Sequence, residues 1–115
     1  MKLIVEKSSW SGRSIGYEPK VEIKEYDDLN ALLHNEQVFE ESFEQFSFTI
    51  IELGEDYIKI ETNSPMSAGD DGTINLHSKE TIFKVEKGKK LKLTTLTMDF
   101  GFIYTFELKK YKNKK

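Results

Sequence analysis

Several short runs of this chain alternate apolar and polar residues at a period of two, the pattern of strands that bury one face and wet the other. Val21-Glu22-Ile23-Lys24 and Tyr57-Ile58-Lys59-Ile60-Glu61-Thr62 are two of them. Ile82-Phe83-Lys84-Val85-Glu86, Leu91-Lys92-Leu93-Thr94 and Phe102-Ile103-Tyr104-Thr105-Phe106-Glu107-Leu108 continue the series. In the last run Phe102, Tyr104, Phe106 and Leu108 share one face, and Ile103 falls on the other. Phe46, Phe48 and Ile50 are in phase, whereas Ile51 and Leu53 follow in the opposite phase. That strand is therefore either covered on both sides or bulged near Ile50, and its apolar density marks it as the central strand.

Leu53-Gly54-Glu55-Asp56 and Glu86-Lys87-Gly88-Lys89-Lys90 each place a glycine between strand-like runs, which predicts two hairpins. Asp27-Asp28 precedes Leu29, Leu32 and Leu33; the aspartates can cap free amides and the leucines form one helical stripe, so a short helix is expected near 28–34. In residues 36–45, Phe39, Phe43 and Phe46 fit one helical face with Glu36, Glu40 and Glu44 beside it. Aromatic richness also suits strands, but the spacing favours helix up to about Gln45. Ser8 to Pro19 and Asn63 to Gly72 concentrate residues that favour turns and read as loops. Asp70-Asp71-Gly72 would turn into a strand around Ile74 and Leu76.

Many short strands with frequent turns predict a mainly β fold, an antiparallel β-sandwich or small closed barrel of roughly 7–8 strands. One or two short helices are expected near residues 28–45. The alternative is an α+β domain with helices packed on one antiparallel sheet. The chain of 115 residues reads as one domain over 1–115, with a basic tail, 109–115, that frays after Tyr111.

Composition narrows the chemistry. Cysteine is absent, which excludes disulfides, thiolate metal sites and cysteine nucleophiles and fits a reducing, cytoplasmic location. Leu3-Ile4-Val5 is far shorter than the apolar region of a signal peptide, and the longest uncharged apolar stretch elsewhere, Phe46 to Ile51, is too short to span a bilayer, so no membrane association is expected. The net charge of −3 conceals a division along the chain: residues 1–70 carry 15 acids against 6 bases, and residues 71–115 carry 11 bases against 5 acids. Either the two segments neutralise each other across strands, or the signs occupy separate faces and steer a partner, including a further copy of the chain docking head to tail.

The motif matches fail on context. Gly12-Arg13-Ser14-Ile15-Gly16 has the letters of a hydrolase nucleophile elbow, but Tyr17-Glu18-Pro19 follows instead of a helix. Asp99-Phe100-Gly101 repeats a kinase triplet without the glycine-rich loop, strand lysine or catalytic-loop aspartate, and reads as a turn before the last strand. Asn63, Asp70 and Asp71 do not have calcium-loop spacing. His34 and His77 stand alone and are expected at the surface, so no metal and no cofactor is anticipated. Glu36, Glu40, Glu41 and Glu44 lack any neighbour that would desolvate one carboxylate and fit it for acid catalysis. Lys84, Lys87, Lys89, Lys90, Lys92 and the tail could attract phosphates, but the acidic residues 1–70 oppose nucleic-acid binding.

Trp10, Arg13 and Tyr17 stand out as binding-type side chains in a Ser/Gly-rich segment; the alternative is that Trp10 plugs the open end of a sandwich. The expectation is a non-catalytic binding domain that recognises a protein partner, of inhibitor or immunity type, through Trp10, Arg13, Tyr17 and an acidic patch of Glu36, Glu40 and Glu44. A small-molecule or sugar-binding barrel comes second, and a small hydrolase last. A deep cavity lined by the strand phenylalanines would favour the carrier; a filled interior would favour the binder.

Overall fold

The computed structural model describes residues 1–11, 21–39, 45–68, 77–96 and 100–110, with Ser9, Trp10, Ser11 and Phe100 described by their backbone. Two antiparallel sheets pack face to face as a sandwich, and they do not close into a barrel. The elements, in chain order, are β1 (Lys2–Ser11), β2 (Val21–Tyr26), α1 (Leu29–Leu32), β3 (Gln37–Phe39), β4 (Phe46–Leu53), β5 (Tyr57–Thr62), β6 (Ser67–Ala68), β7 (Ile82–Glu86), β8 (Lys90–Thr94) and β9 (Phe100–Lys109). The five-stranded sheet runs β2-β1-β9-β8-β6 and the four-stranded sheet β3-β4-β5-β7. A helix of four residues is too little to make an α+β layer, so the sandwich holds and its α+β alternative does not. No helix among the described residues is long and apolar enough to cross a membrane.

The period-two runs of β5, β7, β8 and β9 become strands with the phases expected. β2 reverses its expected phase: Val21 and Ile23 face outward and are exposed, and Glu22, Lys24 and Tyr26 face inward, because the register with β1 sets them opposite Lys7, Val5 and Leu3. Phe102, Tyr104, Phe106 and Leu108 of β9 point inward and are buried, while Ile103 lies on the outer face. Phe46, Phe48 and Ile50 of β4 meet them from the opposite sheet: the Phe46 ring stacks on Tyr104 with centroids 3.8 Å apart, and Phe48 meets Phe106 edge-on at 5.1 Å. Ring contacts of this kind fill the space between the sheets and add to simple area burial. The phase change in β4 is a bulge. Ile50 pairs with Ile60 and Glu52 with Lys59, so Ile51 has no opposite number and Leu53 returns to the inner face opposite Ile58. β4 is an interior strand of its sheet, and α1 docks on it, with the His34 amide donating to the Ile50 carbonyl at 2.8 Å. Asp28 caps α1 by accepting from the Ala31 amide at 3.2 Å.

Five further sequence expectations are corrected. The helix proposed for residues 36–45 is contradicted at Gln37–Phe39, which form β3 against β4; residues 40–44 lie outside the described residues. Pairing of Phe39 with Phe46 across that ladder is what extended backbone permits and a helix would not. The loop expected from Ser8 begins later, because β1 continues to Ser11 and Trp10 pairs with Gly101. The loop over 63–72 contains the short strand Ser67–Ala68, while Ile74, Leu76 and the Asp70-Asp71-Gly72 turn lie outside the described residues. Phe100 and Gly101 already belong to β9 rather than to a turn before it.

The fifth correction is topological. Gly54 does turn a hairpin between β4 and β5, but Gly88 does not join paired strands: β7 ends in the four-stranded sheet and β8 begins in the five-stranded one. The segment between them is a corner. The Lys87 amide donates to the Asp56 carbonyl at 2.8 Å on one side, Lys87 bridges to Leu108 on the other, and Gly88 completes the bend at φ +85. A left-handed residue at that point favours glycine, whatever the two sheets do beyond it.

Candidate interaction surface

Of the expected site residues, the structure describes Glu36 and the backbone of Trp10. Trp10 is in β1, and Arg13 and Tyr17 fall in the connection between β1 and β2, outside the described residues, as does Ser14 of the elbow-like motif. Glu36 is exposed before β3 and accepts from the Ser47 hydroxyl. Glu40 and Glu44 lie outside the described residues, and the helical face that would have aligned them with Glu36 is absent at Gln37–Phe39. His34 and His77 are both exposed, as expected. No group of three or more metal-ligating side chains occurs among the described residues.

Among the described residues, most ion pairs stay within one of the two segments. Lys2–Glu25 (3.1 Å), Lys24–Glu22 (3.9 Å) and Lys59–Glu52 (3.9 Å) pair within residues 1–70. Lys84–Glu86 (3.7 Å), Lys89–Glu86 (3.0 Å) and Lys109–Glu107 (3.9 Å) pair within residues 71–115. Of the ion pairs between described residues, Lys87–Asp56 at 2.8 Å joins the two segments. Register explains this. Where the segments meet, β1–β9 sets Lys2 opposite Lys109, and β5–β7 sets Lys59 opposite Lys84. The lysines of the β7–β8 corner are interleaved with Glu86 and Asp56, whose carboxyl groups the adjacent lysines hold below the usual carboxylate range: Lys89 foremost for Glu86, Lys87 for Asp56. Such a corner presents no uninterrupted positive field to a phosphate backbone.

Among the described residues the interior is filled by aromatic rings. Of the phenylalanines and tyrosine that would line a carrier, Phe46 alone borders a described surface cleft, of about 300 Å³, beside Pro65 and Met66 at one end of the sandwich. A second cleft of about 480 Å³, between Asp27, Leu29 and Leu53, opens at the other end. Lys7 was not foreseen as an interior residue. It follows Leu3 and Val5 on the inner face of β1, is 3% exposed, and sets its ammonium 4.7 Å from the centroid of Phe102.

Edge strands are where a sandwich is open to other chains. β3 and β6 are short, and β7 turns the corner into β8. β2 is different. It has six residues, and among the described residues its second edge pairs with no strand. Its outer face carries Val21 at 57% and Ile23 at 58% exposure. Its inner face carries Glu22, Lys24 and Tyr26; Lys24 lies 4.3 Å over the Phe39 ring and donates to the Val38 carbonyl at 3.4 Å, and Tyr26 meets Phe48 edge-on. Those contacts tie the β2 edge to β3 and β4 on the inner face, while Val21 and Ile23 are exposed on the outer one. Partial burial, with Glu22 nearby, raises the pKa of Tyr26 and keeps it a neutral packing group. The sequence showed the alternation of β2, but only the sheet order reveals that it lies at an edge.

No protein-family model, no curated protein and no solved structure matches this chain.

Proposed function

We propose that this chain is a non-catalytic binding domain that recognises a protein partner, and that β2 with the adjoining outer face of the five-stranded sheet is its contact surface. One observation carries the reading: two β-branched side chains, Val21 and Ile23, are more than half exposed on a strand at the edge of the sheet. Exposed branched residues beside unpaired main chain can bind by strand addition, with the backbone supplying affinity and alternate side chains supplying specificity. Arg13 and Tyr17 lie in the connection that leads directly into Val21, so the residues singled out from the sequence adjoin this surface along the chain. An inhibitor or immunity-type protein is a specific form of this reading, since blocking a macromolecule needs a preformed surface rather than a pocket. The ring-filled interior supports a binder over a small-molecule carrier. The lack of cysteine suits a partner met in the cytoplasm.

Affinity capture from lysate of the native cells tests the proposal with three baits: wild type, Val21→Ser with Ile23→Ser, and Trp10→Ala with Arg13→Ala. Loss of a saturably captured protein from the β2 variant supports it. An identical set of proteins on all three baits removes both surfaces from consideration.

A further inference from the structure

β2 has a charge pattern that is complementary to itself in one register. Glu22 and Lys24 occupy alternate positions on its inner face, and Val21, Ile23 and Glu25 occupy the outer face, as their pairing with Lys7, Val5, Ser8, Glu6 and Ile4 of β1 requires. Inward-pointing charges on an edge ordinarily deter indiscriminate strand addition. Here they are of opposite sign and two residues apart. A two-fold axis perpendicular to the sheet and passing through Ile23 would set β2 antiparallel to its copy, with Glu22 facing Lys24 of the partner subunit and Lys24 facing Glu22 of the partner subunit. The adjacent symmetric registers fail. Centring on Lys24 opposes two lysines, and centring on Glu22 opposes two glutamates, each costly at directly opposed positions. On the outer face the favoured register brings both copies of Ile23 together, with each Val21 diagonal to Ile23 of the partner subunit and directly opposite Glu25 of the partner subunit.

We infer that the occupant of the β2 edge is a second copy of this chain, joined two-fold about Ile23 to make one continuous ten-stranded sheet from the two five-stranded ones. This rests on the proposed function's assignment of the β2 edge as the contact surface, and it names the partner. The geometry is isologous, so the contact closes at a dimer and leaves no free β2 edge for further growth. The inferred arrangement differs from head-to-tail docking of the acidic and basic segments, which would leave edges open.

Sedimentation of the purified chain over a wide concentration range tests this, with far-UV circular dichroism confirming that each variant is folded. Wild type is expected to pass from monomer to dimer. Glu22→Lys sets like charges opposite each other twice and weakens the dimer by about tenfold or more, while Glu22→Lys combined with Lys24→Glu restores it. Because Lys24 also packs on Phe39, an independent variant avoids the inner face. Ile23→Cys puts a lone thiol on the axis, where opposed Cα atoms about 4.5–5.5 Å apart fall within disulfide reach. It should form a covalent dimer under mild oxidation, and Ile82→Cys, at a position 54% exposed on the other sheet, should not. A chain that remains monomeric at every concentration, or equal cross-linking at both positions, overturns the inference. If the chain is monomeric but the β2 bait still loses a captured protein, the contact surface stands and its occupant is another protein. If the chain is monomeric and the baits are identical, both readings fall.

Discussion

Truncating Phe48 to alanine measures how far the ring cluster holds the two sheets together. Phe48 is fully buried and borders none of the described clefts; its ring meets Tyr26, Phe39, Phe46 and Phe106 at centroid distances of 5.9, 6.4, 6.3 and 5.1 Å. Removing such a ring forfeits its transfer free energy and leaves a cavity that surrounding rings cannot collapse to fill, a loss of about 3–5 kcal/mol. A domain of 115 residues has roughly 6–17 kcal/mol to lose at about 0.05–0.15 kcal/mol per residue, so the variant should fold but sit near the margin. At roughly 4 °C per kcal/mol for this size, the melting temperature should fall by about 12–20 °C. Phe48→Leu keeps most of the volume and loses the edge-on ring contacts, for about 1–2 kcal/mol. Ile82→Ala, at a position 54% exposed, should stay within about 0.5 kcal/mol of wild type. Urea unfolding followed by far-UV circular dichroism gives all three values, and the slope m should not change. A loss below about 1 kcal/mol for Phe48→Ala at unchanged m would refute the claim that these rings carry the inter-sheet contact.

Three further outcomes follow from the fold. Deleting Ile51 should heal the β4 bulge into a regular ladder with every inward side chain kept, costing about 1–2 kcal/mol in chemical denaturation, whereas deleting Lys59 from β5 should abolish cooperative folding; equal damage from both would disprove the assigned register. Alanine at two glycines should destabilise for different reasons, both readable in thermal melts: Gly88→Ala by roughly 1–2 kcal/mol of backbone strain at φ +85 with open space around it, and Gly54→Ala because its methyl would lie 2.1 Å from the Tyr57 ring, displacing Tyr57 from Glu52. Acid should weaken the protein partly through Asp56, whose carboxyl is held low by Lys87; a depressed folded value means stability present above about pH 4 and lost as pH falls through that value. Asp56→Asn should therefore flatten the stability profile below about pH 4, and an unchanged acid limb in a pH series of urea titrations would count against the pair.

Much of this fold could be read before any coordinates, because side chains alternate between the two faces of a strand. Apolar runs in that alternation usually turn inward, as they do in every period-two run but that of β2. The phases of β5, β7 and β9, the β4 bulge and the Asp28 cap all follow from local rules that need only neighbours along the chain. β1 escaped those rules. Leu3-Ile4-Val5 is apolar at three consecutive positions, and the next inward residue is Lys7, so the alternation that marks a strand is hidden in a strand flanked on both sides. β3 escaped for a related reason: Phe39 fits a helical stripe as well as a strand, and only Phe46 across the ladder decides between them.

The candidate surface was less legible than the fold. Residue type drew attention to Trp10 and to the glutamates, but whether a side chain is available to a partner depends on which strand lies beside it. Val21 and Ile23 have the same local pattern as Ile58 and Ile60, yet the first pair points to the outer face and is exposed while the second points between the sheets and is fully buried. The amino-acid sequence by itself determined the strands β4, β5, β7 and β9, their inward faces and the tight turn at Gly54, since these depend on period and backbone chemistry. Only the tertiary structure decided strand order, the corner at Gly88, the place of β2 at the end of its sheet and which of its faces turns outward, because those are set by long-range pairing between residues whose separation along the chain carries no signal.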